Sequence, residues 1–158
     1  MSYIRLANFV QLYRMSGSSE RNEGRYHNAM PGTTLTYDRT NYSYFSFIYQ
    51  GAAKNRTGDN LEASILVSVN EISSNIAVNA VNNRWHVRMF SAVMTEDNKV
   101  SRVLTVEEWI AASLSYDNEV MEVILSSGID AVGANAPTRV LTRDLVGSLP
   151  ITANIQAQ

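Results

Sequence analysis

Residues 61–69, "LEASILVSV", alternate with a period of two. Leu61, Ala63, Ile65, Val67 and Val69 take the odd positions, with Glu62, Ser64 and Ser68 polar between them and Leu66 as the exception. Neighbouring side chains on a strand point to opposite faces, so such a run buries one face and wets the other. Comparable short β-rich runs recur: "TTLTYD" (33–38), "YSYFSFIYQG" (42–51, stopped by Gly51), "RWHVRMFSAVM" (84–94), "VSRVLTVEEWIAASLSY" (100–116) and "EVMEVILSS" (119–127). Turn chemistry separates them: "AAKNRTGDN" (52–60), Glu96 to Lys99, and the dipeptide Asp117-Asn118. The Asn- and Ser-rich stretch 70–83 reads as a loop with a short helix around Ile72, Ile76 and Val78.

The two ends differ. Leu6, Phe9, Val10 and Tyr13 follow i, i+3, i+4, i+7, which predicts a short amphipathic helix. Residues 16–32 are polar, with three glycines and a proline, and read as a flexible arm. The expected architecture is therefore all-β in the main: a small antiparallel β-barrel or sandwich with a short N-terminal helix and extended arms. No long helical pattern separates the strands, which argues against an α/β sheet. Residues 1–32 form the helix and arm, 33–144 the barrel domain and 145–158 a C-terminal tail. Removing residues 1–30 is expected to leave a folded monomer.

A chain of 158 residues is one domain with enough bulk for a single core. Its net charge of −2, with thirteen scattered Lys and Arg, gives no electrostatic footprint for nucleic acid. Cysteine is absent, which removes disulfides, thiolate nucleophiles and cysteine-held clusters. No apolar run approaches the ~20 residues of a membrane-spanning helix. The N-terminus lacks the pattern of a signal peptide, so the expected compartment is a reducing cytoplasm or a particle assembled there.

Reactive chemistry is sparse. His27 and His86 are the two histidines. His86 has no recognised triad motif around it. Glu107 and Glu108 are adjacent on a strand and point to opposite faces, as do Glu119 and Glu122. "KNRTGD" (54–59) lacks the glycines and the Lys-Ser/Thr ending of a phosphate loop. Asp97, Asn98, Asp117 and Asn118 have turn chemistry and no EF-hand spacing. No catalytic residue, cofactor or metal is expected. The aromatic strand Tyr42, Tyr44, Phe45, Phe47, Tyr49 has two readings. It stacks bases or sugars, or it is covered by the core on one face and a partner on the other. The lack of interleaved Lys and Arg speaks against nucleic acid.

The order of segments, "YSYFSFIYQG", "LEASILVSVNE", "HVRMF", "WIAASLSYDNEVMEVILSS", "TRVLTRDLVGSLP", resembles the β-barrel domain of phage tail-tip proteins of the baseplate-hub or minor-tail-protein-L type. The likeness covers about 110 residues, including a strand ending in Val-x-Asn at Leu66–Asn70 and a close at Leu149-Pro150. It departs from members that hold an iron–sulfur cluster through cysteines, since this chain has none. The resemblance implies a structural virion protein in a ring, a trimer or alternatively a hexamer, between tail tube and tail tip. Its partners are copies of itself and other tail proteins. The expected interface residues are Phe9, Tyr13, Tyr42, Tyr44, Phe47, Tyr49, Leu149 and Pro150. The rivals are a hexameric distal tail or tube-connecting ring, a small carbohydrate-binding barrel lined by the Tyr42–Tyr49 strand, and an enzyme using His86 with Glu107 or Glu108.

Overall fold

The computed structural model describes residues 4–51 and 62–127. The chain is all-β, with strands β1 (Arg5–Ser16), β2 (Ser19–His27), β3 (Thr34–Tyr37), β4 (Thr40–Tyr44), β5 (Phe47–Gln50) and β6 (Ala63–Ser68). The helix α1 (Glu71–Asn82) follows, then β7 (His86–Met94), β8 (Val100–Tyr116) and β9 (Val120–Ser126). The nine strands form one sheet in the order β3-β4-β2-β1-β7-β8-β9-β6-β5. Every neighbouring pair is antiparallel except β2 and β4, which run parallel over Tyr26↔Ser43 and His27↔Tyr44.

The sheet curls until its two ends approach, although no strand pairing joins them among the described residues. β4 and β5 lie near opposite ends of the order, yet only Phe45 and Ser46 separate them. Three peptide steps span at most about 11 Å, so the two ends must meet. Side chains fasten the seam. Asn28, just past β2, donates Nδ2–H to the carbonyl of Phe47 on β5 at 3.2 Å. The same carboxamide accepts from the Asn8 amide at 2.9 Å. Across the interior, the Tyr49 hydroxyl on β5 bonds to the Glu107 carboxylate on β8 and accepts from Trp109 Nε1 at 3.1 Å.

Helix α1 packs on the concave face of this curled sheet. Asn70 caps it: its side chain accepts from the Ser73 amide at 2.8 Å, and the Ser73 hydroxyl accepts from the Asn70 amide at 3.0 Å. Ser73, Ala77 and Ala80 are buried, and Ile76 and Val81 pack beside them, one stripe at helical spacing. The stripe rests on Val10, Leu12, Val87, Met89, Ala111 and Leu125. A second cluster sits on the other side of the sheet, where Leu35 and Tyr42 of the β3–β4 hairpin cover Phe9, Phe90 and Ala92. Phe9 and Phe90 stack at 4.7 Å, and Tyr42 meets Phe9 edge-on at 5.2 Å.

Two expectations are corrected. Residues 5–16 are the strand β1, not a helix, and β1 is central. Residues 16–32 are not a free arm: β2 returns antiparallel to β1 after a turn at Gly17, whose φ is +64°. The reason is double burial. β1 sends Val10 and Leu12 to one core and Ala7 and Phe9 to the other. A strand covered on both faces loses its alternation and becomes near-continuously apolar.

Candidate functional site

The expected interface residues lie mostly inside the protein. Phe9 has 0 % exposure, and Tyr13, Tyr42 and Phe47 are buried. Tyr44 and Tyr49 are partly buried. Leu149 and Pro150 lie outside the described residues. The aromatic strand is in fact two strands, β4 and β5, whose apolar side chains serve two cores of the same chain. The hydroxyl of Tyr49 is held between Glu107 and Trp109, and burial together with the Glu107 carboxylate raises its pKa well above the ordinary phenol value.

His86 and the two glutamates are not brought together. His86 pairs with Ile110 across β7 and β8, and its ring stacks on Tyr13 at 5.1 Å. Glu108 is taken by Arg88, whose Nε donates to it at 2.7 Å. The same guanidinium reaches Glu20 at 2.9 Å and lies 4.9 Å from the Tyr13 ring centroid. Those bonds hold Arg88 protonated more firmly than a free arginine. Glu107 faces the interior with Tyr49. The remaining histidine, His27, is wholly buried at 0 % exposure.

What the outer surface offers instead is dispersed apolar area: Ile48 on β5 and Val106 in the middle of β8 are exposed, and more such side chains stand at the two ends of the long strands. At one end, strand register gathers Val69, Tyr116 and Val120. Val120 pairs with Ser68, Tyr116 pairs with Met121, and the Val69 amide donates to the Glu119 carbonyl at 3.0 Å. Tyr116 is 75 % exposed, and Ile72 in the first turn of α1 is 67 % exposed. Beside them runs a groove of about 570 Å³, with Tyr26, Tyr44, Phe45 and Ile72 along it. The carboxylates of Glu71, Asp117 and Glu119 stand among these residues, all three exposed. Asp117 accepts the amides of Glu119 and Val120, both at 2.8 Å, and those bonds lower its pKa. Ser46, Ser68 and Glu71 also line the groove, and its carboxamide, Asn70, is held by the helix cap.

At the other end of these strands, Ile4, Leu6 and Leu104 are exposed. Leu6 pairs with Val93, and Val93 pairs with Arg102, so Leu6, Val93 and Arg102 share a face; Leu104 falls at a register shift between β7 and β8. Arg5, next to Leu6 along β1, points to the opposite face, where its Nη1 donates to Asn98 Oδ1 at 3.0 Å on the turn that also carries Glu96, Asp97 and Lys99. These surface residues carry no local sequence signal. Register alone assembles them from segments up to a hundred positions apart.

Among the described residues, no group of three or more His, Asp or Glu is placed to hold a metal. No helix among them is long and apolar enough to cross a membrane. The geometry thus defines a curled mixed β-sheet wrapped on one helix, with apolar surface at both ends. No family model matches the chain, and no curated protein matches it.

Proposed function

We propose that this chain is a structural virion protein, a hub or adaptor subunit at the distal end of a phage tail. It acts by assembling with copies of itself into a ring between tail tube and tail tip or baseplate. One observation carries the assembly reading: large apolar side chains, Leu6 and Leu104 at one end, Ile72 and Tyr116 at the other, stand in water on an otherwise well-packed domain. Exposed apolar surface rimmed by polar groups marks contact surfaces. The resemblance of the segment order to tail-tip barrels supplies the setting. The barrel would be the rigid unit, and burial of its ends against neighbours the stabilising step.

Native mass spectrometry of the full chain tests the assembly: a single discrete ring, three or six copies, is expected. A monomer at every concentration removes the reading. Mass spectrometry of purified particles, with antibody labelling, tests the setting. The protein is expected in the virion with label at the distal tail end, and its absence from particles rules the setting out.

A further inference from the structure

Side chains do not fill the space under the helix. Between α1 and the sheet lies a cavity of about 50 Å³, with Leu12, Phe47, Ile76, Ala77, Ala80 and Ala111 in its wall. Ala77 and Ala80 share one face of α1, and Ala111 belongs to β8, which packs against that helix. A one-carbon side chain at each of these places leaves the gap open. The surface it presents is almost wholly carbon. Ser73 also lines it, but its hydroxyl is committed, donating to the Ser68 carbonyl at 2.6 Å and accepting from the Asn70 amide at 3.0 Å. Water held inside a protein needs two or more polar partners, so this cavity suits an apolar guest.

The cavity and the groove beside the start of α1 meet. Tyr26 and Phe45 line both the cavity and that groove of about 570 Å³. Their ring centroids are 5.2 Å apart, with the planes tilted by 44°. Phe45 sits in the short step between β4 and β5, where no strand pairing joins the two ends of the sheet. Its ring can turn aside while its amide keeps the bond to the His27 carbonyl at 2.9 Å.

We propose that the groove and the cavity form one binding site for a straight aliphatic chain with an uncharged hydroxyl head. The end of the chain fills the cavity, its body passes Tyr26 and Phe45 and lies along Ile72, and the head stays at the mouth with Ser46, Ser68 and Glu71. Volume selects the chain: an apolar cavity that takes benzene measures about 150 Å³, against about 50 Å³ here. Charge selects the head. A carboxylate would meet the exposed Glu71, and an ammonium would meet the positive end of the α1 dipole. A hydroxyl meets neither penalty and can donate to Glu71. The site lies within one copy, so it stands apart from the ring reading above.

The full chain, labelled at its methyl groups and titrated with 1-octanol, tests this by nuclear Overhauser contacts. The terminal methyl of octanol is expected to contact Ala77, Ala80 and Ala111, and saturation is expected to raise the thermal midpoint. Ala80→Val and, separately, Ala77→Val put carbon into the gap. Each is expected to weaken octanol binding on the order of tenfold or more, with cooperative melting retained. Octanoate and cyclohexanol are expected to bind more weakly than octanol. No saturable binding, or contacts to the exposed Ile48, Leu104 or Val106 in place of the alanines, overturns the site. Unchanged affinity in both valine variants overturns it as well, and if either variant fails to fold, the wild-type contacts decide. Octanoate or cyclohexanol binding as tightly as octanol overturns the ligand class.

Discussion

A histidine with no exposed surface keeps its place only if both ring nitrogens find partners. His27 does so against the backbone: Nε2–H donates to the Thr33 carbonyl at 3.0 Å, and Nδ1 accepts from the Ala29 amide at 3.2 Å. That pattern requires the neutral ring, because a protonated ring has no acceptor to offer Ala29. Burial lowers its pKa, and the Thr33 bond offsets part of the shift. The sign follows: the unfolded chain takes up a proton near pH 6.5 while the folded chain resists it. Stability is therefore full above that pH and declines as pH falls from about 7 toward 5. His27→Phe should cost about 1–3 kcal/mol at pH 7.5, for two polar groups left without partners. It should also flatten the decline. Urea unfolding at pH 7.5 and 5.5 measures both, and an equal pH slope in the variant refutes the assignment. Sequence alone placed His27 on a free arm. The polar run Ser16 to Gly24 hides that β2 ends inside the core, and bonds to backbone groups leave no residue-type signature. Asn28, which fastens the seam to Phe47, was missed for the same reason.

At the scale of elements, legibility followed burial on one face. β6 was readable because Ala63, Ile65 and Val67 alternate with more polar neighbours. The strands β7, β8 and β9 were bounded by real turns, and Asp117 does shape the β8–β9 hairpin. β1 failed because Phe9 and Val10 are both buried, on opposite faces, and that pair imitates a helical stripe. The β3–β4 turn supplies an element-level prediction. Asp38 and Arg39 have φ of +46° and +59°, between the paired residues Tyr37 and Thr40. Positive φ at both central positions is the type I′ geometry, which favours Asn-Gly. Arginine there bears a steric cost that glycine avoids, partly offset by glycine's freedom in the unfolded chain. Arg39→Gly should stabilise by about 0.5–1 kcal/mol, read as a higher urea midpoint. The hairpin covers Phe9 and Phe90, so the gain should be global rather than local. A lowered midpoint would contradict the turn geometry.

At the scale of the molecule, the curl of the sheet explains both what is stable and what was illegible. The apolar ends join residues near 5, 70, 102 and 118, and only the register of the sheet sets those segments side by side. The strand order also reverses the expectation for an N-terminal truncation. Removing residues 1–30 deletes β1 and β2, and β1 lies between β2 and β7 in the sheet. Phe9, Val10, Leu12 and Tyr13 go with it, all buried. At roughly 1.5–3 kcal/mol for each large buried side chain, their loss is about 6–12 kcal/mol, comparable with the ~5–15 kcal/mol that holds a whole domain together. β7 would also be left with an open, apolar edge, which favours aggregation. The truncated chain is thus expected to lack a cooperative thermal transition and to precipitate, rather than to persist as a folded monomer. Circular dichroism melting with size-exclusion chromatography decides it. A soluble, cooperatively melting monomer would show that β1 is dispensable, and with it the two-core architecture would fall.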